Sequence, residues 1–185
     1  DQWCMEYEQR IRDLGGIGFF LGGIGPDGHI GFNIRGSDHY STTRLCPTNY
    51  ETQAAAATDL GGIEIARQSL VITIGLDTIT YNPDCTAIIL AAGQAKAALA
   101  AQAIQSAKSI ETPASCLQEL PNARFYITGG AAAHLMERQV RVLERTTAVG
   151  DAEVEKVLVD LAVRCRKRLL DLTEAHCQPD RSASV

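Results

Sequence analysis

Apolar residues recur every four positions near the start of the chain, at Trp3, Tyr7 and Ile11. This spacing places the three side chains on one face of a helix. Gly15 and Gly16 follow and mark the end of that helix, because glycine is a poor helix former. The pattern therefore predicts an amphipathic first helix with one apolar stripe.

Four short apolar runs have the length and composition of β-strands: residues 17–21, 70–74, 87–90 and 123–128. The second and third are apolar and β-branched, as expected for strands buried on both faces. An alanine-rich segment after the third run predicts a helix over residues 94–107. Strands that alternate with helices predict an α/β fold with a parallel sheet covered by helices.

The last fifty residues follow a different pattern. They predict one long amphipathic helix whose apolar face comprises Val154, Val157, Leu158, Leu161, Cys165, Leu169 and Leu172. Its end carries four cations, Arg164, Arg166, Lys167 and Arg168. We interpret these as a solvated helix face favoured by the C-terminal dipole, in preference to an anion site. We predict a domain over residues 1–135, a helical extension over 136–185 and a frayed tail over 179–185.

Composition is ordinary for a soluble globular protein, with 45% apolar and 21% charged residues among 185. The net charge of −5 speaks against nucleic acid or an anionic membrane as partner. No apolar run approaches the ~18–20 residues of a membrane helix, and no signal peptide opens the chain. Because the first residue is Asp1, we expect a piece of a longer protein.

Six cysteines are scattered without a C-x-x-C pair. This spacing favours free thiols in a cytoplasmic protein over disulfides. Clustered Cys or His ligands for zinc are lacking as well, so we expect no metal site.

The stretch FFLGGIGPDGHIGFN at residues 19–33 contains G-x-G-x-x-G directly after a predicted strand. In a dinucleotide-binding fold, the last glycine of this motif opens a helix whose N-terminus holds the pyrophosphate. The residues after Gly28, HIGFNIRGSD, make a poor helix. Glu51 near the offset of a ribose-binding acid is weak support. A nucleotide-dependent oxidoreductase therefore requires that Gly28 open a helix.

The same loop carries Asp27 and His29 at the expected carboxyl end of a parallel strand, where such sheets bind ligands. A histidine there can transfer a proton near neutral pH, and a nearby carboxylate can fix its tautomer. The alternative is a turn in which the aspartate caps its own backbone and the histidine only forms a hydrogen bond. The two residues alone leave both interpretations open.

GGIGPDGHIGFN resembles the signature loop of the glucosamine-6-phosphate deaminases (isomerases); the related 6-phosphogluconolactonases share D-G-H but usually continue differently. The resemblance extends through STTRL at residues 41–45, LVITIGLDTI at 70–79, AAGQAKAALA at 91–100 and ASCLQELPNA at 114–123. It covers about residues 7–134. It implies a Rossmann-like α/β fold, no redox cofactor, and conversion of glucosamine 6-phosphate to fructose 6-phosphate and ammonia.

The resemblance also implies roles for particular residues. His29 matches the histidine that assists ring opening, and Asp27 matches the aspartate beside it. Lys96 matches the lysine that binds the substrate phosphate. This assignment agrees with its predicted place in the first turn of a helix, where free N–H groups favour an anion. Gly25 and Gly28 are expected to let the backbone approach the substrate, and Arg35 is a further candidate for the phosphate.

The chain departs from the family in ways that bear on activity. Ile34 stands where the family usually has a glutamate that partners the histidine, and Asp38 is the candidate replacement. Thr58 falls near the position of a second phosphate-binding arginine. The initial strands, phosphate loop and catalytic base of the family have no match before residue 17. We therefore expect the second half of the family fold, catalytically incomplete alone, or a non-catalytic sugar-phosphate-binding or regulatory domain.

Half of such a sheet would expose an apolar edge and an apolar face. We expect either the missing N-terminal half or a second copy in a homo-oligomer to cover them. The C-terminal helix is the default candidate for an oligomer contact.

Overall fold

The computed structural model describes residues 2–59, 61–146 and 150–177. The chain forms two compact units that divide between Gln139 and Val140. The first unit contains the strands, and the second is helical. The domain boundary expected between residues 135 and 136 stays a prediction.

Helices, strands and short 3₁₀ turns alternate along the described residues. The helices are α1 (Gln2–Asp13), α2 (Tyr50–Ala56), α3 (Ile63–Gln68), α4 (Leu76–Thr80), α5 (Ala97–Gln105), α6 (Met136–Arg145) and α7 (Asp151–Cys165). The strands are β1 (Phe19–Gly23), β2 (Arg44–Pro47), β3 (Leu70–Thr73), β4 (Thr86–Ala91) and β5 (Arg124–Ile127). The 3₁₀ turns are Gln94–Lys96, Pro113–Glu119, Leu169–Asp171 and Glu174–Cys177.

The main sheet has three parallel strands in the order β1-β4-β5. Phe19 lies opposite Thr86, and Leu90 lies opposite Tyr126. The predicted α/β fold with a parallel sheet flanked by helices is thereby confirmed. Because the strands are parallel, the segments after β1 and β4 leave the sheet at the same end. This is the carboxyl end of the strands, where such sheets bind ligands.

One face of this sheet forms the core. Ala87, Ile89 and Ala91 of β4 are buried on it. The core continues through Ile24, Ile30, Leu76, Ile79, Cys85, Ala103, Ala114, Cys116, Leu117, Leu120 and Ala131. Since these residues come from the loop after β1, from α4, from α5 and from the 3₁₀ turn Pro113–Glu119, the same core that supports the sheet also supports the loop.

The opposite face of the sheet is apolar and open. Phe19, Leu21, Leu90 and Tyr126 alternate with the core residues along their strands, and each is more than half exposed. The outer edge of β1 has no strand partner among the described residues. The expectation of an uncovered apolar face and edge is therefore confirmed.

The strand predicted at residues 70–74 exists, but its partner and burial differ from the prediction. β3 pairs antiparallel with β2 in a separate two-stranded sheet, with Leu70 opposite Pro47. Leu70 and Ile72 are more than half exposed. The error has a physical cause, because an apolar β-branched run specifies a strand but not its partner. β2 itself, RLCP, lacked the apolar length that signals a strand.

The first helix forms and ends before Gly15 as predicted, but its buried face shares only Ile11 with the predicted apolar stripe. Trp3 and Tyr7 are exposed and stack with ring centroids 5.1 Å apart. Ile11 is buried as predicted, and Cys4 and Glu8 are buried with it. The prediction was wrong for Trp3 and Tyr7, because one buried position is a carboxylate that polar partners stabilise.

Glu8 is the centre of a polar network that fastens α1 to two other segments. Its carboxylate accepts hydrogen bonds from the Thr43 N–H (3.1 Å) and hydroxyl (2.9 Å) and from the Thr78 hydroxyl (2.8 Å). Arg12 adds an ion pair at 3.1 Å and bridges to Asp77 at 2.6 Å. Burial raises the pKa of Glu8, but the bonds from Thr78, Thr43 and Arg12 outweigh it, so its pKa lies below the ordinary value.

In the second unit, the predicted helix is shorter than its apolar pattern. α7 ends at Cys165, where Arg166 adopts a left-handed conformation with φ 52°. Leu169 lies in the following 3₁₀ turn, where it and Leu170 line a surface cavity of about 440 Å³ with Val154 and Leu158 of α7. The apolar spacing typical of a helix therefore extends past the end of α7, into residues that fold back towards that helix. Arg168 pairs with Asp171 through two bonds of 2.7 and 2.9 Å. The tail predicted over residues 179–185 lies outside the described residues.

Five cysteines with described side chains, Cys4, Cys46, Cys85, Cys116 and Cys165, are free thiols, as predicted. Burial raises the pKa of Cys116 to about 12, which makes this thiol unreactive. The described part of the chain contains no group of three or more His, Cys, Asp or Glu side chains placed to hold a metal ion. Likewise, none of its helices is long and apolar enough to cross a bilayer.

Candidate active site

The loop after β1 turns sharply instead of entering a helix. Gly28 has φ 83°, its N–H bonds the Gly25 carbonyl at 3.2 Å, and its own carbonyl accepts from the Ala114 N–H at 3.0 Å. The next helix, α2, begins at Tyr50. A dinucleotide site needs helix N–H groups directly behind this glycine. The G-x-G-x-x-G spacing is therefore not a nucleotide-binding motif here, and the oxidoreductase alternative is excluded.

Asparagine 33 of the same motif fixes the loop to the two-stranded sheet. Its buried amide donates to the carbonyls of Ile30 (3.0 Å) and Ile74 (2.8 Å). Its oxygen accepts from Arg44 at 2.7 Å, and Arg44 also bonds the Ser37 hydroxyl at 3.1 Å. Because Arg44 belongs to β2 and Ile74 follows β3, Asn33 joins the loop to both strands of the second sheet.

Asp27 is buried, and the hydrogen-bond partners of its carboxylate come from its own loop and from the start of α2. One carboxylate oxygen, Oδ1, bonds Nδ1 of His29. The other, Oδ2, accepts from the Arg35 N–H at 2.9 Å and from Nδ2 of Asn49 at 2.6 Å. Burial raises the pKa of Asp27, but the bonds from Arg35, His29 and Asn49 outweigh that effect and hold its pKa below the ordinary value. Asp27 is therefore ionised near neutral pH.

His29 has one nitrogen committed to Asp27. An ionised carboxylate can only accept, so Nδ1 carries a proton, and in the neutral imidazole the lone pair of Nε2 is left for a ligand. The side chain is 12% exposed. The Thr52 hydroxyl lies 3.4 Å from Nδ1, and the Phe32 ring lies parallel to the imidazole at 6.4 Å. The sequence-derived pair of Asp27 and His29 thus forms the geometry of a positioned acid–base group.

Lysine 96 ends the 3₁₀ turn Gln94–Lys96, which follows β4 and leads into α5. The predicted helix over residues 94–107 therefore starts with this tighter turn. Burial lowers the pKa of Lys96, and the negative charge of Asp27 acts in the opposite direction. Lys96 follows β4 and Asp27 follows β1, so both come after the carboxyl ends of neighbouring parallel strands. No carboxylate in the described residues pairs with its ammonium group. A half-buried, unpaired cation beside a helix N-terminus suits an anionic ligand.

The other substrate-binding predictions, Gly25, Gly28 and Arg35, lie in or beside this loop. Gly25 packs against the His29 ring, and its N–H bonds the His29 carbonyl at 2.8 Å. Arg35 reaches Asp27 through its backbone N–H, while its side chain is exposed. Contact of these three residues with a substrate stays a prediction.

Neither Ile34, at the position of the family's glutamate, nor Asp38, the candidate replacement, partners His29. Ile34 is apolar and half-buried. Asp38 is exposed, and its carboxylate accepts from the Tyr40 N–H at 2.9 Å within its own turn. The suggestion that Asp38 replaces the glutamate is therefore not supported by its bonds.

Sequence reasoning missed Asn49 and Thr52, which reach Asp27 and His29 from α2. Asn49 caps α2 by accepting from the Thr52 N–H at 3.0 Å. Asparagine before a short polar segment is a recognisable cap signal. Its second bond spans 22 residues to Asp27 and has no local signal in the sequence.

Comparisons with known proteins find relatives both by sequence and by fold. The chain is 36% identical over 138 residues to a glucosamine-6-phosphate deaminase of Caenorhabditis elegans, a match over 75% of this chain and 51% of that protein. It is 32% identical over 157 residues to glucosamine-6-phosphate deaminase 2 of Homo sapiens, over 85% and 54%. No protein-family model matches the chain.

A solved structure of a monomeric glucosamine-6-phosphate deaminase of the NagB superfamily superposes with a TM-score of 0.63 at 30% identity, over 71% of this chain and 53% of that one. The chain spans about half the length of the curated relatives it matches. Sequence and fold thus agree over the same share of the relatives. The chain is a homologue of the glucosamine-6-phosphate deaminases over about half of their length.

Proposed function

We propose that this chain carries the sugar-phosphate-binding and ring-opening part of a glucosamine-6-phosphate deaminase. The complete reaction isomerises glucosamine 6-phosphate from aldose to ketose and releases fructose 6-phosphate and ammonia. The observation that carries the proposal is the buried Asp27 bonded to Nδ1 of His29, with unpaired Lys96 after the neighbouring parallel strand.

In the proposed ring opening, His29 transfers one proton within the sugar. Nε2 accepts the proton of the anomeric hydroxyl, the bond between the ring oxygen and C1 breaks, and the ring oxygen takes that proton back. Asp27 stabilises the transient imidazolium and keeps the ring oriented. The step needs no cofactor, because the proton returns to the same molecule.

Lys96 is proposed to bind the substrate phosphate. An ammonium group that lacks a carboxylate partner among the described residues loses little when it pairs with phosphate. Arg35, whose exposed side chain lies on the loop that carries Asp27 and His29, is the second candidate. The place of Lys96 after β4, the strand beside β1, supports a phosphate at the same end of the sheet as His29.

The later step, movement of the C2 proton, requires another base. Asp27 is buried and has both oxygens bonded, and the described loop offers no second carboxylate to His29. We therefore expect the base from outside this chain. The open apolar sheet face formed by Phe19, Leu21, Leu90 and Tyr126 is an expected contact surface for that complementary half or for a second copy.

A non-catalytic sugar-phosphate-binding or regulatory domain is the second candidate. The observation in its favour is Ile34, an apolar side chain at the position of the family's glutamate. Such a domain would bind the ligand without transferring protons. Because ring opening followed by closure exchanges the α and β anomers, anomer exchange separates the two candidates without deamination.

The first test combines calorimetry with an assay for ammonia and fructose 6-phosphate. We expect the chain to bind glucosamine 6-phosphate saturably, to bind glucosamine far more weakly, and to release no ammonia. Ammonia release that His29→Ala abolishes would support the deaminase and contradict the expected incompleteness. Absence of binding to either sugar would contradict the proposed function.

A further inference from the structure

Asn49 joins two structures that the sequence keeps apart. Its side-chain oxygen caps α2 through the Thr52 N–H at 3.0 Å. Its side-chain nitrogen donates to Oδ2 of Asp27 at 2.6 Å. One amide therefore connects the start of α2 with the carboxylate that orients His29.

Among the described residues, Asn49 is the side chain from outside the loop that bonds Asp27. The remaining donors to this carboxylate are the His29 ring and the Arg35 N–H, both within the loop. Oδ2 of Asp27 thus accepts two hydrogen bonds, one from the Arg35 backbone N–H and one from the Asn49 side chain. With Oδ2 fixed, Oδ1 is directed at Nδ1 of His29.

We propose that Asn49 is a positioning residue for His29, acting through Asp27. The amide replaces a second carboxylate as the orienting partner: it fixes the acid without adding negative charge. The consequence is a His29 ring held in the Nδ1–H tautomer with Nε2 free for the sugar. The catalytic meaning of this role rests on the proposed function, whereas the orientation itself does not.

The two roles of Asn49 can be separated by substitution. Aspartate caps helices about as well as asparagine, so Asn49→Asp preserves the cap on α2. The new aspartate side chain has no N–H to donate to Asp27, and it places a second carboxylate against that residue. Asn49→Ser also preserves a cap, but its hydroxyl is too short to keep the bond to Asp27.

The matched control leaves Asp27 untouched. Gln53, on the same helix, donates to the Thr48 carbonyl at 2.7 Å. Gln53→Ala therefore perturbs the start of α2 without removing a bond to the carboxylate. A merely structural role of Asn49 would give the same result for all three variants.

The experiment measures the tautomer of His29 in the ligand-free chain by ¹⁵N nuclear magnetic resonance of its ring nitrogens. His29→Ala assigns the signals among the four histidines. We expect the Nδ1–H tautomer in the wild type and in Gln53→Ala, and a shift towards the Nε2–H tautomer in Asn49→Asp and, less strongly, in Asn49→Ser. Unchanged His29 signals in folded Asn49→Asp would overturn the proposal; if that variant does not fold, unchanged signals in Asn49→Ser would do so.

Anomer exchange of glucosamine 6-phosphate gives the catalytic consequence. We expect Asn49→Asp to lower kcat about ten- to a hundredfold with KM nearly unchanged, since a positioned acid–base group contributes about 10²–10⁴. A chain that binds no sugar phosphate would contradict the proposed function and leave the tautomer result as the test of Asn49.

Discussion

The imidazole of His29 lies directly against the α-carbon of Gly25, so a methyl group at this glycine would overlap Cε1, Nε2 and Nδ1 of the ring. The contact explains why the loop needs a glycine at this position although its φ lies outside the left-handed region. The ring is therefore held between the Gly25 backbone and the Asp27 carboxylate.

Gly25→Ala is expected to displace the His29 ring and to abolish its proton transfer while the core remains folded. Anomer exchange should fall at least about a hundredfold, the lower end of what an acid–base group contributes. Gly18→Ala is the control, because a Cβ there meets no atom within 4 Å. Wild-type exchange in Gly25→Ala would show that the ring does not act where the structure places it.

Lys96→Met is expected to weaken glucosamine 6-phosphate binding about ten- to a hundredfold, because a charge-assisted bond contributes about 1.5–3 kcal/mol. Binding of glucosamine, which lacks the phosphate, should be unaffected. Lys156→Met, at an exposed position of α7, is the control. Equal losses for both sugars, measured by calorimetry, would remove Lys96 from the phosphate site.

The affinity for the sugar phosphate should also decline at alkaline pH. The ammonium of Lys96 binds phosphate only while protonated, and burial lowers its pKa against the opposing charge of Asp27. Binding is thus expected to weaken at a pH below the ordinary lysine value of about 10.4. Calorimetry from pH 7 to 10 measures this decline, and the Lys96→Met variant should lack it.

Glu8→Gln is expected to lower the free energy of unfolding by about 1–3 kcal/mol, because a buried network loses its acceptor. Urea denaturation measures the change, with exposed Glu6→Gln as the control. The folded pKa of Glu8 is lowered, so its stabilisation is fully present above the unfolded value of about 4.3 and is lost as pH falls through the folded pKa. The difference between wild type and Glu8→Gln should therefore shrink below about pH 4.3. A constant difference down to acid unfolding would contradict the role of the charge.

How far the sequence predicts this molecule depends on whether a feature is local. The end of α1 before Gly15, the strand before the loop and the helix after β4 follow from nearby residues, and all three form. Three other features depend on segments distant in the chain: the partner of β3, the burial of Glu8 and the fold-back of Leu169. The local sequence patterns predicted these three features wrongly.

The candidate site also has a part that local sequence predicts and a part that depends on distant residues. Asp27 and His29 are two residues apart, so the pair could be predicted from the loop alone. The bond from Asn49 could not, because 22 residues, β2 among them, separate the two partners along the chain. Tertiary hydrogen bonds of this kind leave no periodicity in the sequence.

The most direct measurement is the rate at which the chain exchanges the α and β anomers of glucosamine 6-phosphate, followed by magnetisation transfer. Acceleration over the buffer rate that is saturable in substrate and lost in His29→Ala is the predicted result. Saturable binding without acceleration would contradict ring opening by His29 and leave a sugar-phosphate-binding domain.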